Sequence, residues 1–379
     1  MEQIHPENKR IPSKMSVTSK VLSSPLRYKM IKLFTCPLPC IPRSLPIVGG
    51  KSFLEIAIAL LFVVLFLFLG LSDPLTAGTM ASILGLVLVA LAARNNIIAM
   101  LLGVTFEHAI FWHKALGCLV LALMLIHGIG EGSNFTGLII GIAMGVMSVL
   151  YVASWYGMFN LFYFGHIALY IALIVPAFLH GALVLGLSVI VWVLDLLIRY
   201  VFTKKTVKSQ MSILSGEIMK IDMPGNSFAY EAGQYCFLRV SMVNGYEYHP
   251  FTISSAPSED TISFHIRKSG DWTSQLYDTV KARSISKGGD MSDGERGSPV
   301  EAVVAVEGPY GRLSIDLFNC ELYETVVLIG GGIGISPCLA VWKHLLQSAS
   351  KPKKVILVWL VRESEAAEKM YVDQLEGRV

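Results

Sequence analysis

The apolar residues of this chain are concentrated in one block, approximately residues 52–201. Of the 379 residues, 53% are hydrophobic and only 16% are charged, a composition too apolar for an ordinary soluble protein. The block therefore predicts membrane-spanning helices. After Lys204 the chain regains the acids, bases, glycines and alternating strands of a soluble protein. The sequence thus predicts two unlike halves.

Six runs within the block approach the roughly 20 residues that a helix needs to cross the hydrocarbon of a bilayer. Their approximate bounds are 53–72, 79–101, 107–128, 135–155, 162–181 and 183–201. The last two runs are separated only by a short break after His180, so one long bent helix is the alternative for that region. We expect six spans.

Basic residues predict the orientation, because Lys and Arg near the ends of spans stay on the cytoplasmic side. The tail 1–50 and the end of the sixth span are rich in them, whereas the loops Ser72–Ala77 and Gly128–Ser133 contain none. Both termini are therefore predicted to be cytosolic. The tail lacks the features of a cleavable signal peptide. We expect the plasma membrane, with a vacuolar or other organelle membrane as the alternative.

Two further sequence features concern modification and redox state. Asn134-Phe135-Thr136 is an N-glycosylation acceptor sequence on the predicted outer side. It lies so close to the fourth run that we expect it not to be used. The six cysteines contain no C-x-x-C pair, and their distribution suits a reducing cytosol without a disulfide framework.

Four histidines recur within the apolar block at one interval. The spacing from His113 to His127 is fourteen residues (127 − 113), and that from His166 to His180 is also fourteen (180 − 166). Fourteen steps return to nearly the same helix face about 21 Å further along. If the two helices run in the same direction, His113 should face His166 near the inner leaflet, and His127 should face His180 near the outer one.

Paired histidines at two depths predict two haems. An isolated histidine in a span is more simply a neutral imidazole bonded to a neighbouring helix, but matched spacing favours ligands. Zinc usually gathers four ligands, whereas haem brings four nitrogens and needs only two axial imidazoles. His108 falls about 140° away from His113 around the helix, so we assign it no ligand role. Arg94 and Lys114 lie near the inner site, but the same positions suit side chains that reach the headgroups.

The soluble half resembles the ferredoxin–NADP reductase superfamily. The resemblance rests on the strand Tyr230–Val240 followed by His249-Pro250-Phe251-Thr252-Ile253-Ser254-Ser255, and it implies an antiparallel barrel that binds FAD. Pro250 fixes the backbone, His249 and Phe251 bring ring surface, and the hydroxyls of Thr252 and of Ser254 or Ser255 can face flavin or phosphate. A barrel strand with incidental serines and threonines is the alternative.

Two glycine-containing turns predict the phosphate sites. Gly270-Asp271-Trp272-Thr273 opens a helix whose free N–H groups suit the FAD pyrophosphate. A buried-type strand runs into the second turn, which supplies the NADPH candidates: Gly330, Gly331, Gly332, Gly334, Ser336 and Pro337. Arg362 ends the next strand and is as compatible with an ordinary surface arginine as with a 2′-phosphate contact. The preference for NADPH over NADH therefore rests on the resemblance.

Together these features resemble the ferric reductase and NADPH oxidase superfamily from about Phe53 onward. The implied fold is a multidomain membrane protein, with a six-helix transmembrane bundle, an antiparallel β-barrel FAD-binding domain and a partial α/β nucleotide-binding domain. The predicted domains are a cytosolic basic tail 1–50, a ferric reductase-like transmembrane haem domain 51–203, an FAD-binding barrel 210–317 and a partial NADPH-binding domain 320–379. The implied cofactors are two b-type haems, FAD and NADPH. The family continues through further strands, so we expect a truncated product or, preferably, a fragment.

The resemblance leaves the acceptor open between ferric iron or another oxidised metal and molecular oxygen. In the oxidases a second histidine commonly follows the outer ligand by four residues, where this chain has Glu131, so we favour a ferric-chelate reductase. Glu131 could attract a cationic metal complex or be an ordinary solvated acid. A truncated haem-binding partner subunit without catalysis is a further alternative. We expect contact with lipid, no nucleic-acid partner, and an oligomer of like or unlike chains as an open question.

Overall fold

The computed structural model describes residues 53–95, 106–132, 134–214, 217–243, 246–286, 298–311, 313, 323–348 and 352–361. The chain divides into two compact units, Met1–Trp192 and Val193–Val379. The first is helical where it is described. The second contains the strands.

Six helices lie in the described residues up to Ile198. They are α1 (Phe53–Ser72), α2 (Pro74–Ala92), α3 (Phe106–Glu131), α4 (Phe135–Ser154), α5 (Phe159–Leu179) and α6 (Leu183–Ile198). A π-helical turn, Arg199–Thr203, follows α6. Five helical stretches of the described chain are long and apolar enough to cross a membrane, and the described apolar part of α1 is shorter, Ala59–Ser72. The membrane character of this half is thereby confirmed.

Helix α2 begins earlier than the hydropathy run 79–101 indicates. Asp73 caps it, accepting hydrogen bonds from the backbone N–H groups of Leu75 and Thr76, and Pro74 occupies the first turn. An acidic cap followed by proline is a favourable helix start, because the cap satisfies free N–H groups and proline has none to satisfy. The helix ends at Ala92, before the predicted end of the run. The bounds of this span were therefore predicted several residues too late.

The break after α5 separates two helices. Gly181 adopts φ +88°, in the left-handed region, and the backbone N–H of Ala182 donates to the carbonyl of Ala177. A left-handed glycine after the last helical residue is a common helix stop. The alternative of one long bent helix is therefore wrong, and α5 and α6 are separate spans.

The second unit begins with a six-stranded antiparallel sheet. Its strands are β1 (Lys204–Ile213), β2 (Ile218–Pro224), β3 (Tyr235–Val240), β4 (His249–Thr252), β5 (Thr261–Arg267) and β6 (Val300–Tyr310). The order is β4-β3-β6-β1-β2-β5, and a bridge from Ile253 to Phe264 links the two outermost strands. The sheet is thus a nearly closed barrel, as the sequence predicted.

Helix α7 (Asp271–Ser286) packs into the apolar interior of the barrel. Along β1 the buried positions alternate with exposed ones, which is the pattern of a strand with one covered face. Trp272, Leu276 and Val280 from α7 join the resulting core. The N-terminal end of α7 is thereby fixed beside β4.

The last described elements form a small α/β unit. Strand β7 (Thr325–Gly331) leads through a 3₁₀ turn (Gly332–Ile335) into α8 (Ser336–Gln347), and β8 (Lys354–Leu360) pairs with β7 in parallel. Parallel neighbours need a crossover, which α8 provides. The fold class is therefore as predicted: a membrane helix bundle, an antiparallel barrel and a parallel α/β unit.

Candidate cofactor sites

The first pair of histidines meets between α3 and α5. The ring centroids of His113 and His166 lie 6.1 Å apart with an interplanar angle of 75°. His113 projects from the first half of α3, and His166 from the first half of α5. The sequence prediction that these two residues face each other is consistent with this arrangement.

The second pair lies at the other ends of the same helices. The ring centroids of His127 and His180 are 5.9 Å apart, with an interplanar angle of 86°. His180 is the residue that follows α5, and its backbone N–H still donates to the carbonyl of Pro176, as in a helical turn. The fourteen-residue interval therefore survives the end of the helix.

Both separations suit a metal held midway between two imidazoles. A metal–imidazole bond measures about 2 Å and the bonding nitrogen lies roughly 1 Å from its ring centre, so two axial rings on one ion should be about 6 Å apart. Among the described residues, no group of three or more His, Cys, Asp or Glu side chains could hold a metal ion. Two protein ligands per site are what haem requires, because its porphyrin supplies the other four nitrogens.

The remaining ring nitrogens of three histidines have hydrogen-bond partners. Nδ1 of His113 lies 2.9 Å from the carbonyl oxygen of Leu88, and Nδ1 of His127 lies 3.0 Å from that of Pro74. Each carbonyl can only accept, so each Nδ1 carries the proton and leaves Nε2 free to bind a metal. Nδ1 of His166 is buried and has no partner among the described residues. The geometry therefore fits axial haem ligands.

Glycines give the outer pair its space. A Cβ on Gly78 of α2 would lie 2.7 Å from Nδ1 of His127, and a Cβ on Gly137 of α4 would lie 3.0 Å from Cε1 of His180. Real Cβ atoms rarely approach other atoms so closely. These two positions therefore admit the imidazoles only because they lack side chains.

In the barrel, the predicted flavin residues of β4 surround the start of α7. The ring of His249 lies 4.4 Å from that of Trp272, and Phe251 stacks on the other part of the same indole at 5.8 Å. Trp272 is itself buried, and its indole nitrogen has no partner in the described chain. Pro250 is exposed and Thr252 is half-buried. Among these residues, His249, Pro250, Phe251 and Thr252 are the ones that retain accessible surface.

The two serines after β4 face inward. The Ser254 hydroxyl donates to the carbonyl of Ser263 at 2.8 Å and accepts from Nδ1 of His265 at 2.7 Å. The Ser255 hydroxyl bonds to Tyr230 and accepts from the backbone N–H of Ser263. Both serines are almost fully buried. Their hydroxyls are occupied within the protein, and their proposed contact with flavin stays a prediction.

Burial also changes the acidity of the partners of these serines. It lowers the pKa of His265 to about 3, with Lys220 and Lys343 adding to the effect. It raises the pKa of Tyr230 to about 12, against a smaller opposing effect of the hydrogen bond to Ser255. Both groups are therefore neutral at physiological pH, and their polar atoms serve the barrel interior.

The turn before α7 is closed by Thr273. Its hydroxyl oxygen accepts from the backbone N–H groups of Ser269 and Gly270 at 3.0 and 2.9 Å. Gly270 is exposed, and a Cβ on it would meet nothing within 4 Å. Thr273 thus shapes an open helix N-terminus of the kind that binds anions.

The glycine turn after β7 is also open. Gly331, Gly332 and Gly334 face space with no atom within 4 Å of a Cβ, and Gly332 adopts φ +50°. Gly330 differs, because its Cβ would press on Ile335. The hydroxyl of Ser336 donates to the carbonyl of Ile333, and Pro337 occupies the first turn of α8. The turn can admit a pyrophosphate close to its backbone.

Sequence reasoning missed several residues near these sites. Asn134 and Thr136 both bond to His180, although the sequence showed them only as a glycosylation motif. Arg239 and Lys204 each lie 5.3 Å from the ring of Tyr248, just before β4. The cations are isolated in sequence, so only the strand pairing brings them together. Among the other charged candidates, Glu131 and Lys114 are exposed, and Arg362 lies outside the described residues.

Comparison with protein families supports the same division of the chain. A ferric reductase-like transmembrane component matches residues 77–135, an FAD-binding domain matches 203–314, and a ferric reductase NAD binding domain matches 323–376. Their order agrees with the helices, barrel and α/β unit described above.

Curated relatives fall into two groups. NADPH oxidase 1 of Mus musculus is 31% identical over 190 residues, 46% of this chain and 29% of that protein. A superoxide-generating NADPH oxidase heavy chain of Dictyostelium discoideum is 31% identical over 186 residues, 47% and 35% respectively. Ferric reduction oxidase 7, chloroplastic, of Arabidopsis thaliana is 27% identical over 311 residues, 72% of this chain and 41% of that protein. The matches thus cover less than half the length of these three relatives.

A solved ferredoxin NADP+ reductase from Neisseria gonorrhoeae with bound FAD and NADP is also similar. It is 15% identical, and the match covers 46% of this chain and 63% of that one with a TM-score of 0.33.

Proposed function

Because the chain belongs to the ferric reductase and NADPH oxidase superfamily, we propose that it transfers electrons from NADPH through FAD and two b-type haems to an acceptor across a membrane. The observation that carries the proposal is the repeated pairing of histidines, with ring separations of 6.1 and 5.9 Å at the two ends of α3 and α5. One such pair could be a packing feature. Two pairs with the same spacing on the same two helices are the geometry of a relay.

The histidines have a holding role in this scheme. His113 and His166 would bind one haem, and His127 and His180 the other. When bound, the haems supply one-electron couples, and FAD connects them with the two-electron donor NADPH. Because both axial positions of each iron are filled by the chain, neither iron offers an open site to a substrate. The residues therefore support electron transfer rather than ligand binding at the metal.

The second unit supplies the donor side. The exposed part of β4 and the open N-terminus of α7 would hold FAD, with His249 and Phe251 offering ring surface and Thr252 a hydroxyl. The turn Gly331–Gly334 would receive the pyrophosphate of NADPH, because its backbone can be approached closely and α8 begins directly after it. The basic residues at the ends of the spans support a cytosolic location for this unit, and we favour the plasma membrane.

A ferric chelate is the acceptor that we propose first. The relative with the longest of the three matches, over 72% of this chain, is named as a ferric reduction oxidase. His127 is followed by glycine, and the exposed carboxylate of Glu131 ends the same helix. Oxygen reduction to superoxide is the second candidate, because the relatives at 31% identity are named as NADPH oxidases.

Reoxidation of the reduced haems distinguishes these acceptors. The purified chain is reduced with dithionite under nitrogen, freed of excess reductant, and mixed rapidly with ferric citrate or with oxygenated buffer. We expect ferric citrate to oxidise the haems faster than oxygen at equal concentration, with the α-band absorbance as the readout. Faster oxidation by oxygen, accompanied by superoxide, would make the chain an oxidase. His127→Ala, which removes an outer ligand, serves as the slow control.

Glu131→Gln tests the carboxylate at the end of α3. With a cationic ferric complex as oxidant, we expect reoxidation to slow by roughly two- to fivefold, since an exposed charge contributes only modestly. Both haem spectra should be unchanged, and Glu131→Asp should retain the wild-type rate. Equal rates for the Gln variant and the wild type would leave Glu131 without a role.

A further inference from the structure

The four histidines differ in what holds their second ring nitrogen. For His113 and His127 the partner is a backbone carbonyl, of Leu88 and Pro74 respectively. Nδ1 of His180 instead lies 3.1 Å from the hydroxyl oxygen of Thr136 and 3.1 Å from Oδ1 of Asn134. His180 is also the ligand that lies beyond the end of its helix. Its orientation therefore depends on two side chains from the start of α4.

The hydrogen bonds around Asn134 define which atoms carry protons. The backbone N–H of Gly137 donates to Oδ1 of Asn134 at 2.8 Å, which identifies that atom as the oxygen of the amide. The Thr136 hydroxyl donates to the same oxygen at 3.0 Å. The Thr136 oxygen is then free to accept from Nδ1 of His180. In this arrangement Nδ1 carries a proton, so Nε2 keeps the lone pair that binds a metal.

We propose that Asn134 and Thr136 are positioning residues for the outer haem ligand His180, a role that rests on the proposed function. Together they select the tautomer of His180 and hold its ring toward His127. A hydrogen bond from Nδ1 to an oxygen makes the coordinating nitrogen more basic. A more basic ligand stabilises the oxidised iron, so these two residues lower the midpoint potential of the outer haem relative to an unsupported imidazole.

The same side chains form the acceptor sequence Asn134-Phe135-Thr136. Asn134 is the N-cap of α4, and its oxygen has three donors within hydrogen-bond distance. Gly137, the next residue, lacks the Cβ that would lie 3.0 Å from the His180 ring. The residues 134, 136 and 137 therefore share a common neighbour, and that neighbour is the imidazole.

Two double variants test the proposal with glycosylation held equal, since neither retains asparagine at 134. Asn134→Ser with Thr136→Val keeps a hydroxyl cap for α4 but withdraws both acceptors from His180, because serine is too short to reach the ring. Asn134→Asp with Thr136→Ser keeps both acceptors. The full chain is purified in detergent, and each haem is followed by redox titration of its absorbance and by low-temperature electron paramagnetic resonance.

For the withdrawing variant we expect a higher midpoint potential of the outer haem and roughly ten- to hundredfold weaker haem retention, as for other losses of a partner to a ligating histidine. The inner haem should be unchanged. The retaining variant should keep both haems, with the outer potential unchanged or lower. Identical outer-haem properties in the wild type and the withdrawing variant would overturn the proposal.

Two further arms separate the causes of failure. If the withdrawing variant does not accumulate, Thr136→Val and Thr136→Ser are compared instead, because they differ in one acceptor and keep the cap. Only the valine variant should raise the outer potential, and equal potentials would contradict the proposal. A wild-type chain without two bis-imidazole haems would instead refute the proposed function itself.

Discussion

The helical unit and the barrel use polar side chains in apolar surroundings for different ends. In the helices, histidines from separate spans meet ring to ring, and three of them bond through Nδ1 to a neighbour while the other nitrogen stays available. In the barrel, Ser254 and His265 bond to each other and to the strand beside them. Half-satisfied groups in pairs indicate a ligand, whereas a closed network indicates structure.

The physical basis of this difference is the cost of an unsatisfied polar group. Inside a bilayer a polar side chain is expensive, and it persists where it has a partner or a function. Inside a barrel, strand neighbours supply donors and acceptors at short range, so a serine can be fully satisfied without any ligand. The comparison predicts that substitutions in the helices change cofactor retention, while substitutions in the barrel interior change stability.

The largest expected effect follows Gly78→Ala. The new Cβ would lie 2.7 Å from Nδ1 of His127 and would displace the ring from its bond to Pro74. We expect outer-haem occupancy to fall about tenfold or more, measured as haem per chain. Gly117→Ala is the matched control on α3, where a Cβ meets nothing within 4 Å, and it should keep both haems. Full occupancy in Gly78→Ala would break the comparison.

A smaller effect, on stability alone, is expected for His265→Asn. Burial lowers the pKa of His265 in the folded barrel to about 3, whereas an unfolded histidine titrates near 6.5. As the pH falls below about 6.5, the unfolded chain gains a proton that the folded barrel refuses until about pH 3. The wild-type barrel should therefore lose up to about 1.4 kcal/mol of unfolding free energy per pH unit across that window.

The variant should lose this component of the pH dependence, because asparagine does not titrate, and about 1–3 kcal/mol of stability at neutral pH through imperfect replacement of the bond to Ser254. Urea unfolding followed by pulse proteolysis at pH 7.5 and 5 measures both. The haem spectra should not change. An unchanged difference in stability between the two pH values would show that His265 is not the titrating group.

The smallest effect is expected at the flavin site. Thr252 is half-buried at the end of β4, whereas Ser254 is buried two residues later. We expect Thr252→Ala to weaken FAD binding by roughly two- to tenfold, the worth of one hydrogen bond. Ser254→Ala should lower stability and leave FAD affinity unchanged, with flavin fluorescence as the readout. The reverse pattern would place the flavin contact at Ser254.

Much of the helical unit could be predicted because helix geometry fixes what a fourteen-residue interval means. The start of α2 was also readable, since Asp73-Pro74 is a strong helix signal, but the hydropathy run placed it later. The partners of His180 could not be predicted, because they depend on how the start of α4 lies beside the end of α5. No local pattern of Asn134 or Thr136 indicates that neighbour.

The barrel shows a second limit. Residue types in His249–Ser255 indicated a flavin strand, but they did not show that β4 ends at Thr252 and that Ser254 and Ser255 lie in the interior. The bridge from Ile253 to Phe264 turns this part of the chain inward, and it joins residues distant in sequence. Side-chain chemistry was thus readable at this site, while the direction of each hydroxyl was not.

The central claim is that each histidine pair holds one haem, and haem counting in single-ligand variants tests it most directly. The purified wild-type chain should contain two haems with bis-imidazole spectra, and His127→Ala should retain one, the haem between His113 and His166. His113→Ala should retain the other. A His127→Ala chain that still holds two bis-imidazole haems would contradict the account.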